Sequence, residues 1–308
     1  MEKNMYDLII IGSGPAGLSA AVYGKRAGLN LLVLEQAPMS GGQVLTTYEV
    51  DNYLGMPGIN GFDMGMQFRA HADKLQVEFK EAQVQAVEDK GSSKLLHTSA
   101  GDFETKALLV ATGAQHAHLQ VPGEEELSGM GVSYCATCDG AFFRKKTVAV
   151  VGGGDVALED AIYLARFCEK VYVIHRRDEF RGAKVLQEEL LSLPNVEILY
   201  HHTVFAIQGE DQVEALSLHN VQTGEDKVLA VNGIFIAVGI HPTSQLLAGL
   251  VDMDAQGYVL AGEDGRTSCD GIFVAGDIRK KPLRQIVTAV ADGANAAVSA
   301  GQYIQQAK

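Results

Sequence analysis

Apolar positions in this chain fall into short runs that stop at glycine, and the segments after them carry helical spacing. Residues 6–11 form the first run, a strand by its length, and it stops at Gly12-Ser13-Gly14. A helix is predicted over 15–26 with Pro15 in its first turn, followed by an apolar strand over 31–34. Strand, glycine turn, helix and strand make a βαβ unit. Beyond Gly41-Gly42-Gln43 and an irregular stretch through Pro57, the pattern predicts a helix over 62–74. Two runs, 84–88 and 95–98, flank the turn-forming Asp89-Lys90-Gly91-Ser92 and read as a hairpin. A buried strand over 107–111 then ends at Thr112-Gly113.

After a polar, proline-containing stretch over 115–122 the pattern restarts. It gives a strand over 147–151, a helix over 155–167 and a strand over 171–175. A helix over 184–193, a strand over 196–200, a hairpin around Gly209-Glu210-Asp211 and a strand over 234–239 follow. The closing segment offers a strand over 272–275, the turn Gly276-Asp277 and a helix over 286–305, without a glycine signature of its own. It most simply completes the first domain. The expected fold is therefore α/β, with two Rossmann-like, three-layer ββα dinucleotide-binding domains. Residues 118–245 form the second, inserted between 1–117 and 246–308 of the first. Two linkers, near 115–122 and 241–246, permit a hinge or rotation.

The two βαβ units are offset by 140 residues, and they differ where one ligand is told from another. Gly12, Gly14 and Gly17 correspond to Gly152, Gly154 and Ala157. In each, the first glycine allows the turn, the second lets a pyrophosphate approach the helix N-terminus, and the third small residue lets helix and strand close up. Glu35, at the end of the first unit, corresponds to His175, followed by Arg176 and Arg177 and then Arg181. A carboxylate there accepts hydrogen bonds from free ribose hydroxyls, whereas guanidinium groups suit a ribose bearing a phosphate. This points to two dinucleotides, FAD in the first unit and NADPH in the second. A solvated run of charge at a strand end would give the same letters at 175–177, and Arg181 favours the phosphate reading. Ser13 and Thr112 could be turn formers only.

In the inserted segment lies Cys135-Ala136-Thr137-Cys138-Asp139, two thiols at redox spacing. His116 and His118 upstream suggest a zinc site, but no second CxxC or spaced histidine pair completes a ligand set, so no metal is expected. If Cys138 opens a helix, the helix amides lower its thiol pKa. Asp139 is either an ordinary helix cap or the group that exchanges a proton with a thiol. Cys168 and Cys269 lack a thiol neighbour in sequence and read as packing residues.

Composition narrows the class further. The 34 glycines in 308 residues exceed the ordinary share, as close backbone approach to phosphates requires. A net charge of -13 repels polyanions, which excludes nucleic acid as an expected partner. No apolar run approaches a membrane span, and residues 8–11 are too short for a signal peptide. Four cysteines without framework spacing fit a reducing compartment, so a cytoplasmic location is expected.

Over essentially its whole length the chain resembles the low-molecular-weight thioredoxin reductases, FAD-containing disulphide oxidoreductases. The resemblance rests on GSGPAG at 12–17, GGQ at 41–43, ATG at 111–113, CATCDG at 135–140, GGGDVALE at 152–159, HRRDEFR at 175–181, and AGD at 275–277 followed by RQI at 284–286. It implies a homodimer with one FAD per subunit. The flavin site would draw on Gly12, Ser13, Gly14, Pro15, Ala16 and Gly17, then Glu35, Gln36, Gly42, Gln43 and Asn52. Val84, Ala111, Thr112, Gly113, Gly276, Asp277, Arg284, Gln285 and Ile286 would complete it. NADPH would meet Gly152, Gly154, Asp155, Val156, Ala157 and Glu159, with Ile240 beside it and His175, Arg176, Arg177 and Arg181 toward its 2'-phosphate. Cys135, Cys138 and Asp139 would be the catalytic residues. The resemblance further implies that hydride passes from NADPH to FAD, electrons pass to the Cys135–Cys138 disulphide, and thiol exchange reduces thioredoxin. Cys138 would face the flavin, Cys135 would attack the partner, and a domain rotation would separate the half-reactions.

Met130 stands in a segment where some relatives carry a basic residue that helps hold thioredoxin, so partner choice is less fixed by sequence than chemistry. Phe142 and Phe143 are either an apolar docking surface or core. Two rival functions share most of these parts: a dithiol oxidase that uses no NADPH, and a flavin-based redox sensor without turnover. The first has no need of Arg176, Arg177 and Arg181. The second leaves the catalytic residues without a purpose.

Overall fold

The computed structural model describes residues 5–47 and 49–306, which divide into two compact units. The first comprises the chain up to Gln115 and from His241 onward, and the second is His116–Ile240. Chain crossings fall two residues before the expected first boundary and five before the second.

The first unit opens with β1 (Tyr6–Ile11), α1 (Pro15–Arg26) and β2 (Leu31–Glu35). Pro15 starts α1, where its missing N–H costs no hydrogen bond. Then α2 (Gly61–Lys74) begins at Asn60, whose side chain accepts from the Asp63 N–H as an N-cap. β3 (Glu78–Glu81) joins the edge of β2, and β4 (Val84–Asp89), β5 (Lys94–Thr98) and β6 (Gly101–Val110) form a meander. The sheet order is β3-β2-β1-β6-β5-β4, parallel as far as β6 and antiparallel beyond it. Leu8 and Ile10 enter the core beneath the helices, while Ile9 and Ile11 enter a second core on the opposite face. Alternate side chains of β1 are thus buried on both faces, which is why its sequence is apolar without a break.

The chain crosses through β7 (Ala114–His116) into the second unit. There it forms β8 (Val132–Ser133), α3 (Ala136–Asp139), β9 (Thr147–Gly152), α4 (Asp155–Ala165), β10 (Lys170–His175), α5 (Lys184–Ser192) and β11 (Val196–Tyr200). Next come β12 (His202–Gln208), β13 (Ala215–Asn220), β14 (Asp226–Ala230) and β15 (Gly233–Ala237). The parallel sheet runs β11-β10-β9-β15-β8, and β12-β13-β14 forms a separate antiparallel layer. Val148 and Val150 face the helical core while Ala149 and Val151 face the antiparallel layer, repeating the arrangement of β1.

The return passes through β16 (Ile240–Pro242) to β17 (Ile272–Val274) and α6 (Ile286–Gln306). β17 pairs with Leu108, Leu109 and Val110 of β6, whose earlier half pairs with β5. β17 thus belongs to the sheet of the first unit. Gly293 lets α6 lie against α1, since a side chain there would run into the Ala16 carbonyl. β3, β8 and β14 have no counterpart in the sequence pattern. β3 is the polar edge strand Glu-Phe-Lys-Glu, and β14 exposes most of its side chains, so neither carries a buried periodicity to read.

Candidate nucleotide sites and redox disulphide

In the first unit, Gly12 adopts φ +96° and its N–H donates to the Leu34 carbonyl at 2.9 Å. A side chain at Gly12 would strike the Ala111 carbonyl, and one at Gly17 would strike the carbonyl of Gly12. The turn therefore nests between strand ends and helix only as glycine. Ser13 donates twice to Glu35 Oε2, from its N–H and its hydroxyl, each at 2.8 Å, and the Ala37 N–H donates to Oε1 at 3.0 Å. Three of the carboxylate's roughly four lone-pair sites are used, leaving room for a hydroxyl. Ser13 is thus more than a turn former.

The Gly41–Gln43 step docks on this turn. The Gly41 N–H donates to Ser13 O at 2.9 Å, and a side chain at Gly42 would crowd the Gly14 Cα. Gln43 donates through its amide to the Ala114 carbonyl. Thr112 donates to the Thr243 carbonyl at 2.6 Å, which ties the ATG segment to the returning chain. Asn52 donates to Gln285 Oε1 at 2.9 Å, joining two expected residues far apart in sequence. Ala16 lies against Gly276, which takes φ +80°. Val84 starts β4 with its side chain in the core, Gln36 is exposed, and Ile286 packs with Val44 and Met64.

A cavity of about 190 Å³ adjoins Glu35, lined also by Ser40, Arg69, Phe79 and Glu81. Arg69 lies 3.6 Å over the Phe79 ring and donates to Ser40 Oγ at 3.0 Å. The sequence reading missed these residues because Arg69 comes from α2, Phe79 and Glu81 from the polar edge strand β3, and Ser40 from the loop after β2. No local signal marks them.

Two buried polar atoms among the described residues have no hydrogen-bond partner, Asp277 Oδ1 and Arg284 Nε. Burial raises the Asp277 carboxyl pKa, and the Lys281 ammonium 3.5 Å away opposes that rise. The Arg284 guanidinium stacks 4.0 Å over Tyr258. An unused acceptor, an unused donor and a glycine-lined helix N-terminus fit a phosphate- and hydroxyl-rich flavin dinucleotide.

In the second unit, Gly154 caps the N-terminus of α4 with open space beside its Cα. Gly152 abuts the Ala237 carbonyl and Ala157, which takes the place of the third glycine and is fully buried. The loop after β10 folds back on this turn. Arg181 and Gly182 donate through their N–H groups to Gly153 O at 2.7 and 3.1 Å, and the Ala183 N–H donates to Asp155 Oδ1 at 2.7 Å. Val156, Glu159, Arg176, Arg177 and Arg181 are exposed, and the three arginines form no ion pair among the described residues. Ile240 lies in β16.

His175 departs from the expected cationic cluster. Its ring is buried under Gly153, with Nε2 3.0 Å from the Glu179 carbonyl. Burial lowers its pKa, and the charges of Arg177 and Arg181 lower it further. His175 is a buried support for the glycine turn, and the exposed charges at this strand end are those of Arg176, Arg177 and Arg181.

Cys135 and Cys138 form a disulphide with Cα atoms 5.3 Å apart. Cys135, not Cys138, is the N-cap of α3; Cys138 is the third residue of this four-residue helix. Cys138 therefore does not open the helix, as expected from sequence, but lies within its first turn. Ser133 braces the loop, its Oγ accepting from the Cys135 N–H at 3.1 Å and donating to Asp139 Oδ2 at 2.6 Å. Burial raises the pKa of Asp139, and the Ser133 hydrogen bond offsets part of that rise. Tyr134 donates to the buried Glu124 at 2.7 Å, which also accepts from the Leu119 and Gln120 N–H groups at 3.1 and 2.7 Å. His116 stacks on Tyr134, and among the described residues no cluster able to hold a metal ion occurs.

Phe143 is core, edge-on to Phe235, whereas Phe142 and Met130 are exposed. Cys168 is buried, with a pKa pushed up to about 11 by burial. Cys269 is half-buried, and its thiol contacts Asp89 at 3.4 Å. No helix among the described residues is long and apolar enough to cross a membrane.

Two glycine turns at helix N-termini and a Cys-x-x-Cys disulphide on one chain point to a class, the flavin-linked disulphide oxidoreductases. The family profile for pyridine nucleotide-disulphide oxidoreductase matches residues 6–293. A thioredoxin reductase of Listeria innocua is 41% identical over 308 residues, covering 100% of this chain and 96% of the relative. One from Bacillus subtilis is 41% identical over 306 residues, with coverages of 99% and 96%. Among solved structures, a Streptococcus pyogenes thioredoxin reductase superposes with a TM-score of 0.95 at 42% identity, covering 99% of this chain and 100% of that one. A Lactococcus lactis thioredoxin reductase in the FR conformation gives 0.67 at 40% identity, with coverages of 98% and 99%. The chain belongs to the pyridine nucleotide-disulphide oxidoreductase family, in its low-molecular-weight thioredoxin reductase branch. That family implies a flavin and a pyridine nucleotide.

Proposed function

We propose that the chain reduces thioredoxin with NADPH as electron source, holding FAD in the first unit and NADPH in the second. The Cys135–Cys138 disulphide carries this reading, because both dinucleotide sites then serve a group on the same chain that can accept two electrons. Gly12 to Gly17, Glu35, Gly42, Asp277 and Arg284 would hold FAD. Gly152 to Ala157 would hold NADPH, with Arg176, Arg177 and Arg181 on its 2'-phosphate. The exposure of those arginines, without ion-pair partners among the described residues, supports NADPH over NADH.

Bound FAD would supply two-electron chemistry, accepting hydride from NADPH and passing the electron pair on. The chain's residues govern the protons and the exchange. Asp139 Oδ2 takes the Ser133 hydroxyl, which leaves Oδ1 to exchange a proton with a thiolate of the reduced pair. The burial that raises its pKa keeps a larger protonated fraction near neutrality, as a proton donor needs. The Cys135 thiolate then attacks a thioredoxin sulphur, forming an intermolecular disulphide and expelling the second partner sulphur as thiolate. Cys138 attacks Cys135 Sγ, restores the intramolecular bond and releases the other partner thiolate. The protons lost by Cys135 and Cys138 are taken up by the two partner sulphurs. Exposed Phe142 and Met130 offer apolar contact to thioredoxin. A domain rotation between half-reactions, in a homodimer, completes the proposal.

Anaerobic titration with NADPH and separately with NADH, followed by flavin bleaching and then addition of thioredoxin, tests the reading. Bleaching at lower NADPH than NADH, with reoxidation by thioredoxin in the parent and not in Cys138→Ser, is the expected result. No bleaching with either nucleotide would overturn it and leave the oxidase or the sensor.

A further inference from the structure

Four charged side chains of the first unit are packed together beside Gly276. Arg279 grips Asp292 with two charge-assisted hydrogen bonds, Nε to Oδ2 at 3.1 Å and Nη2 to Oδ1 at 2.7 Å. Asp292 Oδ2 also accepts from the Gly276 N–H at 3.1 Å. Lys281, whose side chain is 4% exposed, stands between two carboxylates, 3.1 Å from Asp292 Oδ2 and 3.5 Å from Asp277 Oδ1. Two acids meet two bases here, and the Arg284 guanidinium adds a further positive charge felt by Asp277.

The cluster has one open end. Asp292 is saturated by three donor groups, whereas Asp277 Oδ1 has no hydrogen-bond partner, only the ion pair to Lys281. On the other side, Gly276 packs against Ala16 in the first turn of α1, and Gly293, next to Asp292, packs against the Ala16 backbone. The cluster therefore locks the Gly276–Asp277 turn to the helix N-terminus where a dinucleotide pyrophosphate would lie. Burial favours the protonated form of Asp277, and a neighbouring ammonium favours the ionised one. An ionised carboxylate can only accept hydrogen bonds, which suits a polyol ligand.

Building on the FAD assignment above, we infer that Lys281, held by the Arg279–Asp292 pair, is a positioning residue that keeps the Asp277 carboxylate aimed as an acceptor for the flavin's hydroxyl groups. Lys281 does not itself touch the ligand in this reading. Its removal leaves Asp277 to take up a proton or turn away, and the flavin loses its acceptor.

The test uses the holoenzyme, diluted so that FAD dissociates, with release followed by the rise in free-flavin fluorescence. Lys281→Met should release FAD at least tenfold faster than the parent, with an unchanged far-UV spectrum, and Lys281→Arg should return to within about threefold of the parent. Rescue by arginine separates a requirement for charge from simple filling of the core. If Lys281→Met does not accumulate as folded protein, Lys281→Gln carries the same expectation of faster release. Equal release from parent and the neutral variant overturns the inference while the FAD reading stands. A parent that purifies without flavin and takes up none overturns both.

Discussion

Arg176→Ala is the sharpest test of how the second site tells nucleotides apart. Arg176, Arg177 and Arg181 are exposed and form no ion pair among the described residues, so truncating Arg176 removes a ligand contact without orphaning a protein partner. A charge-assisted hydrogen bond is worth about 1.5–3 kcal/mol, and exposure to solvent places Arg176 toward the lower end. About 1.4 kcal/mol corresponds to tenfold. NADPH affinity should thus fall roughly tenfold, and up to about a hundredfold if Arg176 makes two such bonds. NADH affinity should change by less than about twofold, because it lacks the group the arginine meets. The assay is anaerobic flavin bleaching titrated with each nucleotide at low and high salt, and the parent's preference should shrink as salt screens the exposed charges. Equal weakening for NADPH and NADH would falsify the assignment. His175→Ala provides the contrast. It empties the space under Gly153, so it should weaken both nucleotides together.

Three further outcomes follow from burial and packing. Burial pushes the Asp160 carboxyl up to about 7, against 3.8 in the unfolded chain, so its stabilising contribution is complete below 3.8 and lost as pH rises through 7. Asp160→Asn should therefore gain about 1–3 kcal/mol on the parent between pH 5 and pH 8; chemical denaturation giving the same difference at both pH values refutes this. Ser133→Ala removes the hydrogen bond that lowers the Asp139 pKa, so the ionisation of Asp139 in the pH–rate profile for thioredoxin reduction should move to higher pH, and no movement would detach Asp139 from the rate. Gly293→Ala sets a methyl against the Ala16 carbonyl, and overpacking of about 1–3 kcal/mol should lower Tm by several degrees; an unchanged Tm would show that α6 can move away from α1 freely.

What sequence alone conveyed depended on whether a feature is local to the backbone. The turns at Gly12 and Gly152 were legible because a strand end, a neighbouring strand's carbonyl and a helix N-terminus can meet only where side chains are absent, and that need writes glycines at fixed spacing. The same holds for the CxxC. His175 misleads in sequence because His-Arg-Arg looks like one patch of charge, while the last position of β10 turns inward and the next turns outward. Cys138 misleads because α3 begins one residue after Cys135, a boundary that four residues cannot announce.

The features that sequence could not give are those made by closure of the chain. Arg69 and Phe79 reach the cavity beside Glu35 only when α2 and β3 fold onto β2, and neither segment carries a glycine turn or a thiol pair to mark it. Lys281 and Asp292 are eleven residues apart, on a loop and on α6, and each alone looks like a surface charge. Gly293 brings α6 against α1, and the carboxylate beside it, Asp292, is buried there, where it must find cations. A packing glycine thus dictates an ion pair, the ion pair fixes a turn, and the turn presents Asp277. Function in this unit depends on that order of causes, which is why replacing Gly293 and replacing Lys281 should both loosen the flavin, the first by moving the helix and the second by releasing one carboxylate.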